Sequence, residues 1–206
     1  VLEALLPYFS EKFGNASSLH SFGLEAAEAL SSSREQVAAA LGAEPQEIIF
    51  TSGGTESDNM AIKGSAYMCS SRGRHIITSV IEHPAVLRTC EQLEKEGFEV
   101  TYVPVDNEGI VDMQFLEDSI REDTILVSIM HANNEIGTIQ NIKEISKIVK
   151  AAGAFIHSDG MATAGIISVD VNDLGLDSFS FSAQQMYGPK GAAALYLKKG
   201  VKIRPL

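Results

Sequence analysis

An α/β domain with a largely parallel sheet and helices on both faces is predicted by three observations. Short runs rich in Ile, Val and Phe alternate with segments of helical period along most of the chain. Successive runs are mostly far enough apart for crossover connections. Polar, glycine-containing segments follow several runs, at the strand ends where such sheets present ligands. A hydrophobic fraction of 45% over 206 residues suits a packed core of one large domain, or a domain and a half.

Each element has its own signal. Glu3–Phe13 is short and apolar and reads as a helix, followed by the polar loop Gly14–Ser21. Phe22–Leu41 gathers Ala and Leu on one face, and Gly42 is placed to end that helix. Glu47–Thr51 is a compact strand, Ser52–Ser57 a turn, and Asp58–Tyr67 a helix. His75–Val80 is a strand, His83–Glu96 a helix stopped by Gly97, and Glu99–Val105 a strand. Met113–Ile120 reads as a short helix, Thr124–Met130 as a strand and Ile142–Ala152 as a helix. Ala154–Asp159, Ser178–Ala183 and Ala192–Leu197 are the last strands. There is no internal repeat and no low-complexity linker.

Composition narrows the function classes. The net charge of -11 argues against nucleic acid or an anionic membrane as a partner. No apolar run approaches the roughly 20 residues a membrane span needs. Val1–Tyr8 is too short and too soon followed by polar sequence for a signal peptide. The two cysteines, Cys69 and Cys90, have neither metal nor redox spacing, so a reducing cytoplasm is expected, with both thiols acting as small hydrophobes on helices.

The strand ends carry the candidate site. Ser52-Gly53-Gly54-Thr55-Glu56-Ser57 leads into a helix, and its glycines allow close backbone approach to a phosphate at the helix start. An ordinary capped turn is the competing reading, and neither a P-loop nor Gly-x-Gly-x-x-Gly is present, which disfavours an NAD-binding oxidoreductase. His83 precedes Pro84 at a helix start, as a capping residue or as an imidazole facing the cleft for stacking or acid–base work. His131-Ala-Asn133-Asn134-Glu135-Ile-Gly137 is either a turn or a set of amides orienting a polar ligand. His157 and Asp159, two apart on a strand, share a face; the carboxylate can pair with a cationic ring nitrogen, and no cluster supports the alternative of a metal site. Ser178–Gly191 reads as a strand, an amide-bearing corner at Gln184 and Gln185, and a Gly-Pro-Lys-Gly turn.

Together these stretches resemble one family. Phe50-Thr-Ser-Gly-Gly-Thr-Glu-Ser57, Glu82-His83, Met130-His-Ala-Asn-Asn-Glu-Ile-Gly137, His157-Ser-Asp159 and Ser182-Ala-x-x-x-Tyr-Gly-Pro-Lys-Gly191 stand in the order and spacing of cysteine desulfurases of the NifS/IscS-like group, class V aminotransferases of fold type I. The loop Phe13-Gly-Asn-Ala-Ser-Ser-Leu-His20 fits as well. The resemblance implies a three-layer α/β/α large domain with a mostly parallel sheet, and pyridoxal 5′-phosphate (PLP) as cofactor. Gly54 and Thr55 would bind its phosphate with Ser182. His83 would stack on its ring and move protons, Asp159 would pair with the ring nitrogen, and Asn134 would lie by the ring oxygen. The family converts L-cysteine to alanine and passes sulfur to iron–sulfur cluster assembly, as a homodimer that meets a scaffold protein.

Three positions depart from the family pattern. The phosphate-holding histidine and the Schiff-base lysine are replaced by Gln184 and Gln185, and the glutamine three residues after the aspartate by Ala162. An amide nitrogen has no basic lone pair, so Gln185 forms no imine and is no general base. Lys190 lies beyond the Gly-Pro turn, where the family has a lysine in addition to the catalytic one. The resemblance further implies a strand before Val1 and, beyond Leu206, a small domain with the sulfur-accepting cysteine and a carboxylate-binding arginine. Residues 1–206 are therefore expected to be the PLP-binding large domain, as a fragment. The alternative is a non-catalytic relative that binds a scaffold or dimerises with an active paralogue.

Overall fold

A computed structural model describes residues 1–205. Seven strands form one sheet: β1 (Ile48–Thr51), β2 (His75–Ser79), β3 (Glu99–Val103), β4 (Thr124–Ser128), β5 (Phe155–Asp159), β6 (Ser178–Ser182) and β7 (Ala193–Leu197). The helices are α1 (Leu2–Leu5), α2 (Pro7–Ser10), α3 (Ser21–Leu41), α4 (Gly54–Cys69), α5 (Pro84–Lys95), α6 (Met113–Ser119) and α7 (Ile142–Ala151). Every predicted strand is present, and each is one or two residues shorter than its apolar run.

Two helices differ from expectation. The stretch predicted as one helix over Glu3–Phe13 is two single turns divided at Pro7, whose ring nitrogen has no N–H to give to the preceding turn. The turn predicted over Ser52–Ser57 is shorter, because α4 already starts at Gly54. Ser57 N–H donates to Gly53 O at 3.1 Å and closes the first turn, while Glu56 folds back to accept from Ser52 N–H and Oγ, each at 2.6 Å. The paired glycines read as loop, yet they only mark the helix entry.

The strand order is β1-β7-β6-β5-β4-β2-β3. Pairings β2–β3, β2–β4, β4–β5 and β5–β6 are parallel, and β7 alone runs antiparallel, to β6 and to β1. The link from β6 to β7, residues 183–192, is too short for the dozen or more residues a parallel crossover takes, so the chain turns back on itself there.

Alternation along the strands builds two cores, one on each face. Ile77 of β2 and Val127 of β4 join Ile145 and Val149 of α7, Leu41 of α3 and Phe179 of β6. Their neighbours Ile76 and Leu126 join Ile62 and Ala66 of α4 and Val86, Cys90 and Leu93 of α5. The result is the expected α/β/α layering. Cys90 is fully buried and its thiol is pushed up to about 12 by burial, so it packs as a hydrophobe; Cys69 is half-buried at the end of α4. Among the described residues no helix is long and apolar enough to cross a membrane.

Gly160, just past β5, is the tightest point beneath the site. A Cβ there would fall 1.7 Å from Cζ of Phe179, whose ring is held between Phe181 and His131. Gly160→Ala is expected to lower stability by about 1–3 kcal/mol through overpacking, read as a lower denaturant midpoint with an unchanged slope.

Candidate functional site

The carboxyl ends of the parallel strands open onto a cleft lined by Gly54, Thr55, Asp58, His83, Met130 and Ala132, together with Asn134, Asp159, Met161, Ala162, Ser182, Gln184 and Gln185. Gly54, Thr55, His83, Asn134, Asp159, Ser182, Gln184 and Gln185, to which the family resemblance assigned positions, all line it, whereas Asn133, Glu135 and His157 do not. Residues 130 apart in sequence meet there because five separate strands end at one rim.

The entry to α4 forms one wall. Its N-cap, Gly53, offers no side chain, and no side-chain cap is made, so the amides of the first turn face the cleft without an internal acceptor. The opposite wall is His83 at the head of α5. Its Nδ1 accepts from Ala85 N–H at 3.1 Å, which assigns the proton of the neutral ring to Nε2. The capping and the cleft-facing readings of His83 therefore hold at once.

The adjacent asparagines divide the work. Asn133 is buried and builds the turn, donating to Ile81 O at 2.9 Å and accepting from Glu135 and Ile136 N–H. Asn134 is exposed at the cleft, and among the described residues its side chain bonds only to Glu135.

The floor is acidic. Asp159 is buried, and its Oδ1 accepts from Met161 N–H at 2.8 Å. Burial raises its carboxyl well above the ordinary range, and the nearby Asp58 carboxylate raises it further. Asp58 is held by His157 Nε2 at 3.3 Å, while His157 Nδ1 meets Ser178 Oγ at 2.8 Å. Both nitrogens of His157 thus face Asp58 and Ser178 rather than Asp159. Behind the rim, Glu82 Oε1 accepts from Ser79 Oγ at 2.6 Å and Met130 N–H at 2.9 Å, whereas its buried Oε2 has no partner. Burial pushes Glu82 up to about 8 against those two hydrogen bonds.

Asp58 and Met161 were missed in the sequence. Starting α4 at Asp58 hid that Gly54 and Asp58 are four apart on one helical face. Met161 lies with Cε at 2.4 Å from where a Cβ on Gly54 would sit, so its thioether packs across the helix entry. No polarity signal marked it.

The corner after β6 is a 3-10 turn, Ala183–Met186, that places Gln184 and Gln185 at the rim above buried Ser182. Neither glutamine side chain makes a hydrogen bond among the described residues. Tyr187, among the described residues the one non-glycine with positive φ (59°), follows, and Gly188 packs so closely on Ala183 that a Cβ would lie 2.8 Å from its Cβ and O. Lys190 is exposed and is not part of the cleft lining.

The family profile for class-V aminotransferases matches residues 1–206. The chain belongs to the class-V aminotransferase family. It is 58% identical to the cysteine desulfurase IscS of Dictyoglomus turgidum over its whole length, which is 52% of that protein. It is 53% identical to the cysteine desulfurase IscS of Clostridium botulinum (strain Hall), again over all of this chain and 52% of the relative. A solved NifS-like protein superposes with a TM-score of 0.97 at 46% identity, over all of this chain and 57% of that one. A solved SspA in complex with cysteine gives 0.96 at 40% identity, over all of this chain and 60% of that one. The chain spans about half the length of the curated relatives it matches. The architecture is that of the fold type I PLP enzymes.

PLP is the family's cofactor, and the residues present fit it. Buried Asp159 at the end of a central strand asks for a cation, which a protonated pyridine supplies, and the uncapped entry of α4 beside Ser182 suits a phosphate. No lysine is among the lining residues. When bound, PLP supplies an electron sink for chemistry at an amino acid.

The acidic floor sets a pH dependence. Glu82 is raised from 4.5 to about 8 in the folded chain, so between those values the native state holds a proton that the unfolded chain has lost. Stability therefore falls as pH rises through this window, and raised Asp159 acts in the same sense. Glu82→Gln keeps the Oε1 acceptor and is expected to flatten that fall, measured by denaturant unfolding at about pH 5 and pH 8.

Proposed function

We propose that the chain is the PLP-binding large domain of a cysteine desulfurase-like protein whose catalytic lysine position is held by Gln185, so that it binds the cofactor without a covalent bond. The carrying observation is that Gly54, Thr55, His83, Asn134, Asp159, Ser182, Gln184 and Gln185 converge on one cleft, in the order and spacing that the family resemblance assigns. In the parent reaction L-cysteine gives alanine, and sulfur goes to iron–sulfur cluster assembly. The chemistry needs a base at the position of Gln185 to shuttle protons, and an amide does not serve. This chain's residues still bind and orient: α4 and Ser182 hold the phosphate, Asp159 holds the ring nitrogen, His83 covers the ring, and Asn134 reaches its oxygen.

A second reading is supported by the same corner. Three exchanges in one site (Gln184, Gln185 and Ala162) favour a non-catalytic relative that binds an iron–sulfur scaffold protein or an active paralogue. A homodimer in the cytoplasm is the proposed assembly, and the exposed Leu2, Leu6, Phe9, Phe13, Phe22 and Leu24 supply apolar surface for it.

Borohydride reduction of the chain with PLP is expected to leave no pyridoxyl group on any lysine of the corner by mass spectrometry; an adduct on Lys190 overturns non-covalent binding. Gln184→His with Gln185→Lys is expected to produce a yellow, borohydride-reducible cofactor on the new lysine. A colourless double variant would show that the cleft is not a PLP pocket.

A further inference from the structure

The cleft has an unbalanced charge. Asp58 and Asp159 line it, Glu82 lies behind its rim, and no lysine or arginine is among its lining residues. His157 engages Asp58 from beneath, and His83 is the only lining side chain able to carry a positive charge. Where a lysine would bring an amine to the rim, Gln184 and Gln185 present amide oxygens that accept and amide nitrogens that donate, with no partner for either side chain among the described residues. A ligand that itself carries an amine at that point would supply the missing cation and find acceptors waiting. A ligand carrying an aldehyde there would find no amine to condense with and would add no charge.

We propose that the cleft selects the amine form of the cofactor, pyridoxamine 5′-phosphate, over the aldehyde form, with the Gln184 and Gln185 side-chain oxygens and the Asp58 carboxylate as acceptors for its ammonium. This rests on the cleft being a PLP-type pocket, and it adds which vitamer the exchanged corner favours. The selection is non-covalent; no bond forms or breaks. The phosphate, ring nitrogen and ring face meet the same groups in either vitamer, so the preference reports on the amine alone. A hydrogen-bonded ammonium beside the buried Asp58 carboxylate favours the amine form by about ten- to a hundred-fold.

The test is isothermal titration of the chain, in amine-free buffer, with pyridoxamine 5′-phosphate, PLP and 4′-deoxypyridoxine 5′-phosphate, which lacks both amine and aldehyde. Only PLP binding that is competed by the deoxy compound is counted, which removes adducts on surface lysines. Pyridoxamine 5′-phosphate is expected to bind about tenfold or more tightly than either of the others, and Gln185→Lys to reverse its order with PLP. Equal affinity for the amine and deoxy forms, or tighter binding of PLP to the unaltered chain, overturns the selection while leaving the cofactor pocket in place. Binding of none of the three overturns both.

Discussion

The structure turns on a carboxylate that is out of water and short of a cation. Asp159 ends β5, in the middle of the sheet, with its side chain enclosed and two further acids, Asp58 and Glu82, acting against its charge. An unpaired buried charge is among the least favourable things a fold can hold, so such a group either keeps a proton or waits for a cationic partner. The surrounding backbone is tied to it. His131 N–H donates to Asp159 O at 2.8 Å, Gln140 N–H to His131 O at 2.9 Å, and Met161 N–H to the carboxylate itself. The turn that carries Asn134 is thereby fixed to the strand that carries Asp159. Glu82 fastens the same turn from the other side through Met130 N–H, which keeps His83 and Asn134 on a common frame. Groups this unfavourable and this firmly held mark a binding site more often than a structural accident.

The sequence disclosed the layers because hydrophobic alternation is a local property. Strands β2, β4 and β6 bury both faces, and Ile76 with Ile77, or Leu126 with Val127, serve opposite cores from adjacent positions. The reversal of β7 was legible in principle, since residues 183–192 leave no room for a crossover, but it follows from chain length rather than side-chain pattern. The start of α4 was obscured by Gly53 and Gly54, which favour loops by propensity but here enter the helix, with Ser57 N–H bonded to Gly53 O and Glu56 folded back onto Ser52. That shift concealed Asp58. Met161 was invisible for another reason: a methionine in a cleft has the same sequence signature as a methionine in a core.

The corner after β6 is built independently of the two side chains it presents to the cleft. Tyr187 sits in the left-handed region that side chains ordinarily avoid, and Gly188 packs against Ala183 with no room for a Cβ. Strain of this kind persists where surrounding structure over-determines it. The turn is held by its backbone and by small residues, not by Gln184 or Gln185, whose side chains stand at the rim without intrachain partners. Side chains at those two positions can therefore vary without disturbing the turn, and they decide what the rim presents to the cleft.

The most direct measurement is a carbon-detected NMR titration of the Asp159 carboxyl, with and without added cofactor. In the free chain it should titrate well above the ordinary carboxylate range, because burial and Asp58 both oppose its charge. Addition of pyridoxamine 5′-phosphate or PLP should lower that midpoint, as a ring cation pairs with the carboxylate. An ordinary midpoint in the free chain, or one that cofactor leaves unmoved, would contradict the view that this cleft is built around a cation-seeking Asp159.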